Sequence, residues 1–331
     1  MPLDLPLIFV VLMGLAILAY VILDGFDLGV GIVLPLAAPA EQDVMVSSIG
    51  PFWDANETWL VLGVGILLVA FPKAHGIILT ALYLPVTAML VFLMLRGVSF
   101  EYRAKATGWH RAHWNRMFFV GSLGAALAQG FMLGSVVTGF APGPAYALFD
   151  LMVGCGLAGG YALLGASWLV IKTEGVLQQR ALRWCRGALL CTAGGVMAIS
   201  LATPWASGDV FDRWFGWPDW ALLAPLPIAT TVAFIGIWFA LARLQRRDTR
   251  REWLPFVLSV WIFIFSFAGL AYSLFPYLVP GRITIWQAAA ARESLLQVFV
   301  GVCGVLPLIV VYTLFAYRVF WGKARQLSYG G

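Results

Sequence analysis

The sequence predicts an all-α polytopic membrane protein, with nine transmembrane helices in a single integral membrane domain over residues 1–331. Its N-terminus is expected outside and its C-terminus in the cytoplasm. Three observations carry this expectation. The chain is 61% hydrophobic and 11% charged, whereas a soluble domain carries about a quarter charged residues. Its apolar runs are long enough to cross about 30 Å of hydrocarbon as helices. Its basic residues are one-sided: with nine spans, one face receives Lys73, Arg213, Arg282 and Arg292, and the other receives seventeen Lys and Arg. That asymmetry marks the cytoplasmic face, so the net charge of +5 needs no nucleic acid to explain it.

The helices are expected at residues 6–34, 51–71, 76–96, 117–137, 146–171, 185–203, 221–243, 253–275 and 294–320. The first has no basic segment before it and no small-residue cleavage site before Asp24, and reads as a retained span. Pro35 and Pro39 stop it, and Pro72 stops the second. The first and last exceed the bilayer thickness and should project or tilt. Beyond the third, Arg96 and Glu101 either anchor the helix at the interface or meet a partner subunit. Trp109, His110, His113 and Trp114 form an interfacial belt before the fourth. Gly154, Gly156, Gly159 and Gly160 suit close packing of the fifth, and Gln129 and Gln297 suit interhelical hydrogen bonds. The acidic, Trp-rich stretch Asp209–Trp220 should lie on the outer headgroups. The run Arg246-Arg247 to Arg250-Arg251 suits the cytoplasmic surface and anionic lipid.

Two acidic clusters open and close the first hairpin: Asp24-Gly25-Phe26-Asp27-Leu28-Gly29-Val30-Gly31, and Trp53-Asp54-Ala55-Asn56-Glu57-Thr58-Trp59. Asp24 and Asp27 share a helix face at a spacing of three, as do Asp54 and Glu57. Ionisable groups at membrane depth are costly, which points to proton transfer or partner binding. Two structural roles compete: Asp54 can cap its helix, and Gly25, Gly29 and Gly31 can let another helix approach.

The rest of the chemistry is sparse. Cys155, Cys185, Cys191 and Cys303 form no paired motif, and a thiol in an apolar run behaves as a small hydrophobe. Neither a metal site nor a cofactor site is expected. His75, His110 and His113 fall in turns or loops, and Met89, Met132 and Met152 read as core, so no haem ligand set is apparent. Nucleotide-binding loops are missing too. Two readings stay open: a proton-coupled secondary transporter, and a cofactor-free subunit of a larger membrane enzyme. A transporter should show paired broken helices in related halves, and the interruption at Asp24–Gly31 has no counterpart.

The motif Leu23-Asp24-Gly25-Phe26-Asp27-Leu28-Gly29-Val30-Gly31, followed by Trp53-Asp54-Ala55-Asn56-Glu57-Thr58-Trp59-Leu60, resembles subunit II of cytochrome bd-type quinol oxidases. Met45, Ser48-Ile49-Gly50-Pro51, Ala70-Phe71-Pro72, Ala81-Leu82-Tyr83 and Arg96-Gly97-Val98-Ser99-Phe100-Glu101-Tyr102-Arg103 continue the likeness. Ala55 stands where the family often has Gly. The brevity of the loops resembles the cyanide-insensitive branch. The resemblance implies a heterodimeric terminal oxidase of the bacterial inner membrane, with the N-terminus periplasmic, that couples quinol oxidation to reduction of oxygen to water. Haems b558, b595 and d would lie in subunit I, and this chain would carry none. It would stabilise that partner, alone or with a small single-helix accessory subunit, and contribute routes for oxygen and cytoplasmic protons, with a quinone or lipid in a groove. Matched to the motif, Asp24 and Asp54 are the first candidates for proton transfer, with Glu57 and Asp27 second. Burial disfavours a charged carboxyl, which suits a relay. Trp53, Asn56, Trp59, Arg96 and Glu101 are candidates for the partner interface.

Overall fold

The structure, a computed structural model, describes residues 3–206, 208–246 and 251–324, without the side chain of Asp209. Arg247, Arg250 and Arg325 lie outside the described residues. Among the described residues, nine helical segments are long and apolar enough to cross a membrane.

Helix α1 (Leu5–Val33) begins at Asp4, whose carboxylate accepts from the Leu7 amide at 3.2 Å, satisfying one of the helix's orphan donors. Pro35 falls in the single turn Leu34–Leu36 that follows, and Pro39 opens a short helix, α2 (Pro39–Ser47). Its composition is too mixed for an apolar run to mark it as a helix. Met45 and Val46 bury it in the core, and its acids are paired with other elements: Glu41 with Arg180 at 2.8 Å, and Asp43 with Arg103 and Arg111 at 2.8 and 2.9 Å.

Helix α3 (Trp53–Ala70) is the second span. The third departs from the expected 76–96. The chain instead forms α4 (Pro72–Ala81), breaks at Leu82, and continues as α5 (Tyr83–Lys105). Pro85 explains the break: it has no amide to bond the Ala81 carbonyl, and its ring crowds that carbonyl. At its other end α5 runs past Arg96 because its buried face does, through Met89, Leu93, Arg96, Ser99 and Arg103. The fourth and sixth spans, α6 (Gly108–Val137) and α8 (Gly175–Ala206), likewise start before the expected 117 and 185. In α8 the added turns bury Leu177, Ala181, Leu182 and Cys185 among exposed polar residues, an amphipathic stripe of period 3.6 that a search for apolar runs passes over.

Between α6 and α8 lies α7 (Pro144–Lys172), buried on every side from Tyr161 to Val170. It packs on α1 through backbone contact. A Cβ added at Gly29 would strike the Tyr161 carbonyl, and one at Gly165 would strike the backbone of Gly29. Only glycine allows that approach, which replaces the hydrophobic effect as the driving force for helix packing in lipid. Trp168 of α7 stacks on Phe26 of α1, ring centroids 4.3 Å apart.

The stretch expected on the headgroups folds as α9 (Gly208–Phe215) and α10 (Asp219–Leu223). Both are tied to the end of α12 (Leu254–Leu274): Trp214 Nε1 donates to Ser273 at 2.8 Å, and the Tyr272 hydroxyl donates to Asp219 at 3.0 Å. Helix α11 (Pro225–Gln245) packs on α12 and α8. A two-stranded hairpin, β1 (Tyr277–Val279) and β2 (Ile283–Thr284), and α13 (Ile285–Ala288) lead to α14 (Arg292–Val319). Helix α14 is the least covered span, with only Leu295 and Ala316 buried.

Candidate functional site

The acid-bearing turns of α1 are the most enclosed part of that helix. Every residue from Asp24 to Gly31 is buried, and both Asp24 and Asp27 are 0% exposed. Such burial is possible because α3, α6 and α7 close around α1, admitted by its glycines: Gly25 lies against the Tyr161 ring and Gly31 against Ser122 of α6.

Opposite Asp24 stands Arg96 of α5, 1% exposed, its Nη2 2.7 Å from Asp24 Oδ1. The guanidinium also lies 5.8 Å from the centre of the Trp53 ring. Taking two charges out of water is repaid only by close pairing and further hydrogen bonds, and at this distance the pair is in contact. Asp27, one turn further along α1, is held differently. Asn56 Nδ2 of α3 donates to its Oδ2 at 2.8 Å and to the Leu23 carbonyl at 3.2 Å. Tyr317 of α14 donates its hydroxyl to Asn56 Oδ1 at 3.0 Å. The second carboxylate oxygen of Asp27 has no hydrogen-bond partner among the described residues; the Asp24 oxygens and the Arg96 guanidinium likewise have none, their contact being an ion pair.

The two acids of α3 are set outward from this centre. Asp54, in the first turn of α3, is exposed. Glu57 is half-buried and feels the charges of Arg96, Asp24 and Asp54. Away from α3 a second polar chain leaves Asp24. Tyr20 lies one turn earlier on α1 beside the Asp24 carboxyl. Gln129 Nε2 of α6 donates to the Tyr20 hydroxyl, and the Tyr161 hydroxyl of α7 donates to Gln129 Oε1, each at 2.7 Å.

Arg96 and Asn56 therefore face the interior of this chain, which corrects their assignment to a partner interface. Trp59 is also turned inward, packing on Ala16 and Tyr20, while Trp53 is half-buried and Glu101 exposed. In sequence, Arg96 ends an apolar run and so looks like an interfacial anchor. The signal was present: Met89, Leu93, Arg96, Ser99 and Arg103 continue one helix face, so the arginine sits where a core residue belongs. Tyr317 and Tyr20 left no sequence signal, because nothing in a lone tyrosine says which helix it will meet. Beside the site, α1, α3 and α14 enclose an apolar groove of about 190 Å³, lined by Leu12, Ala16, Trp59, Leu306 and Val310.

The family model for cytochrome bd terminal oxidase subunit II matches residues 5–320. The chain is 26% identical to cytochrome bd-I ubiquinol oxidase subunit 2 of Escherichia coli K12, over 95% of this chain and 94% of that one. It is also 26% identical to cytochrome bd ubiquinol oxidase subunit 2 of Bacillus subtilis, over 94% of each. Its fold is similar to that of a chain in the bd oxidase structure from Geobacillus thermodenitrificans, with a TM-score of 0.78 and 17% identity, covering 97% of this chain and 100% of the other.

Proposed function

The chain belongs to the cytochrome bd terminal oxidase subunit II family, and from that premise we propose that it carries cytoplasmic protons toward the oxygen-reducing centre of its complex through Asp54, Glu57 and Asp27. It is a multi-pass membrane subunit of an oxidoreductase that works with a subunit I, and the secondary-transporter reading is set aside. The names of its relatives support ubiquinol as the electron donor of the complex. The donors of this chain do not suit a haem: His110 and His113 are exposed near the start of α6, and His75 lies in the short α4. We therefore assign the haems, expected as b558, b595 and d, to subunit I. The basic asymmetry supports a periplasmic N-terminus in the inner membrane. The apolar groove at Trp59 suits oxygen or a lipid chain, and the uncovered face of α14 suits subunit I or a single-helix accessory subunit.

The observation that carries the proton route is the unequal state of the two buried acids. Arg96 fastens Asp24 as one half of an ion pair. Asp27 is in no ion pair among the described residues and is held by a neutral amide. An acid in a tight ion pair gives up its partner before it can take a proton. An acid against an amide exchanges a proton without losing a counter-ion. Asp24 with Arg96 is thus the electrostatic anchor, Asp27 the exchanging group, and Glu57 and Asp54 the steps toward the cytoplasmic surface.

The test is the assembled oxidase with Asp27→Asn, Asp24→Asn and Asp54→Asn. Asp27→Asn is expected to slow oxygen reduction at least tenfold with haem content unchanged, as loss of a proton-transfer group does. Asp54→Asn is expected to slow it less, because water reaches Glu57. Asp24→Asn is expected to lower the yield of haem-loaded complex first. Full turnover with Asp27→Asn would end the proposed route.

A further inference from the structure

We propose that the groove between α8 and α11 binds an anionic phospholipid, with the lipid phosphate on Arg186 and an acyl chain lying along the groove; the leaflet rests on the orientation proposed above. The groove has a volume of about 350 Å³ and is lined by Leu189, Leu190, Ala193, Phe234, Trp238 and Phe239. These side chains offer a hydrocarbon chain shape and no polar partner.

The basic end of the groove is built differently. Arg186 lies one turn before Leu189 and Leu190 on the same face of α8. Its guanidinium is held over the Trp238 ring, 4.1 Å from the centroid. That stacking orients the planar cation while leaving its edge donors free. Arg183 follows one turn further out on α8, and Arg243 one turn beyond Phe239 on α11, both exposed. Neither helix contains an acidic residue, and none of these three arginines is in an ion pair among the described residues. Two nearby acids are already engaged: Glu41 with Arg180, and Glu252 with Lys323. An apolar trough ending in three arginines with no ion-pair partner among the described residues complements a molecule with a hydrocarbon chain and a phosphate head. Arg recognises phosphate through paired N–H donors, and Trp238 sits where an aromatic ring favours the boundary between chain and headgroup.

The experiment is native mass spectrometry of the assembled oxidase, stripped of lipid in detergent and titrated with phosphatidylglycerol or phosphatidylcholine. The variants are Arg186→Gln, which changes an exposed side chain, and Ala193→Phe, which fills the trough. The wild type is expected to keep one phosphatidylglycerol more than either variant. Arg186→Gln should weaken that site about fivefold, the effect of one basic residue at an anionic lipid surface, while phosphatidylcholine retention stays the same in all three. Equal phosphatidylglycerol retention in all three proteins would overturn the proposal. So would crosslinking of Ala193→Cys to a helix of another subunit, which would make the trough a protein interface. Haem content and turnover, measured on the same samples, report separately on the proton route.

Discussion

Replacing Arg96 by Gln removes the cation that neutralises Asp24 at the centre of the molecule. Both side chains are within 1% of full burial and their charged atoms are 2.7 Å apart. Two unit charges about 4 Å apart in a medium of effective dielectric about 20 attract by about 4 kcal/mol. Breaking a buried pair by removing one partner costs about 3–5 kcal/mol, because the remaining charge is stranded. The expected penalty for Arg96→Gln is in that range, a large share of the stability of an ordinary domain. The nearby acids deepen it, since Asp27 and Glu57 also feel the Arg96 charge. The double variant Arg96→Gln with Asp24→Asn places two neutral amides face to face and is expected to recover most of the loss. The assay is a double-mutant cycle on the assembled oxidase in detergent, read as thermal retention of the haem spectrum and of the monodisperse complex. Arg96→Gln as stable as the wild type, or a double variant no better than the single one, would refute the anchor.

The remaining predictions concern the surroundings of that pair. Asn56→Leu leaves the Tyr317 hydroxyl and Asp27 Oδ2 without their partner, and should cost about 1–3 kcal/mol in the same thermal assay, whereas Tyr317→Phe should cost less. Gly29→Ala drives a methyl into the Tyr161 carbonyl and should cost at least the 1–3 kcal/mol of an overpacked core. Gly65→Ala, where the added Cβ meets nothing within 4 Å, should leave the amount of complex in membranes unchanged. For topology, Asp4→Cys should react with a membrane-impermeant maleimide from outside intact cells, and Glu174→Cys only after lysis; the opposite pattern would invert the proton route.

Much of the fold was readable because bilayer thickness imposes long apolar runs, and nine of them stand out. Helix ends were less readable where polar residues are helical. The early turns of α6 and α8, and the end of α5 beyond Arg96, bury one face only, so they escape a search for apolarity and answer to one for period. Helix α2 is short and mostly polar, and its partners, the core around Met45 and Val46 and the arginines Arg103, Arg111 and Arg180, all come from other helices, so no local stretch announces it. Of the site, the acids were legible from their types and spacing. Their inequality was not, since Asp24 and Asp27 share a helix face in the sequence and differ only in what α5 and α3 bring to them.

The sequence by itself determined the solvent, the number of spans, the side expected to face the cytoplasm and the family, because hydrophobicity, charge and motif are local properties that add along the chain. Tertiary structure alone decided that Arg96 belongs to Asp24, that Asn56 and Tyr317 belong to Asp27, and that α7 lies against α1 at backbone distance through Gly29 and Gly165. Those pairings depend on the rotation and depth of each helix against its neighbours. Rotation and depth follow from the packing of small residues and the pairing of buried polar groups across helices, which no single stretch of sequence contains.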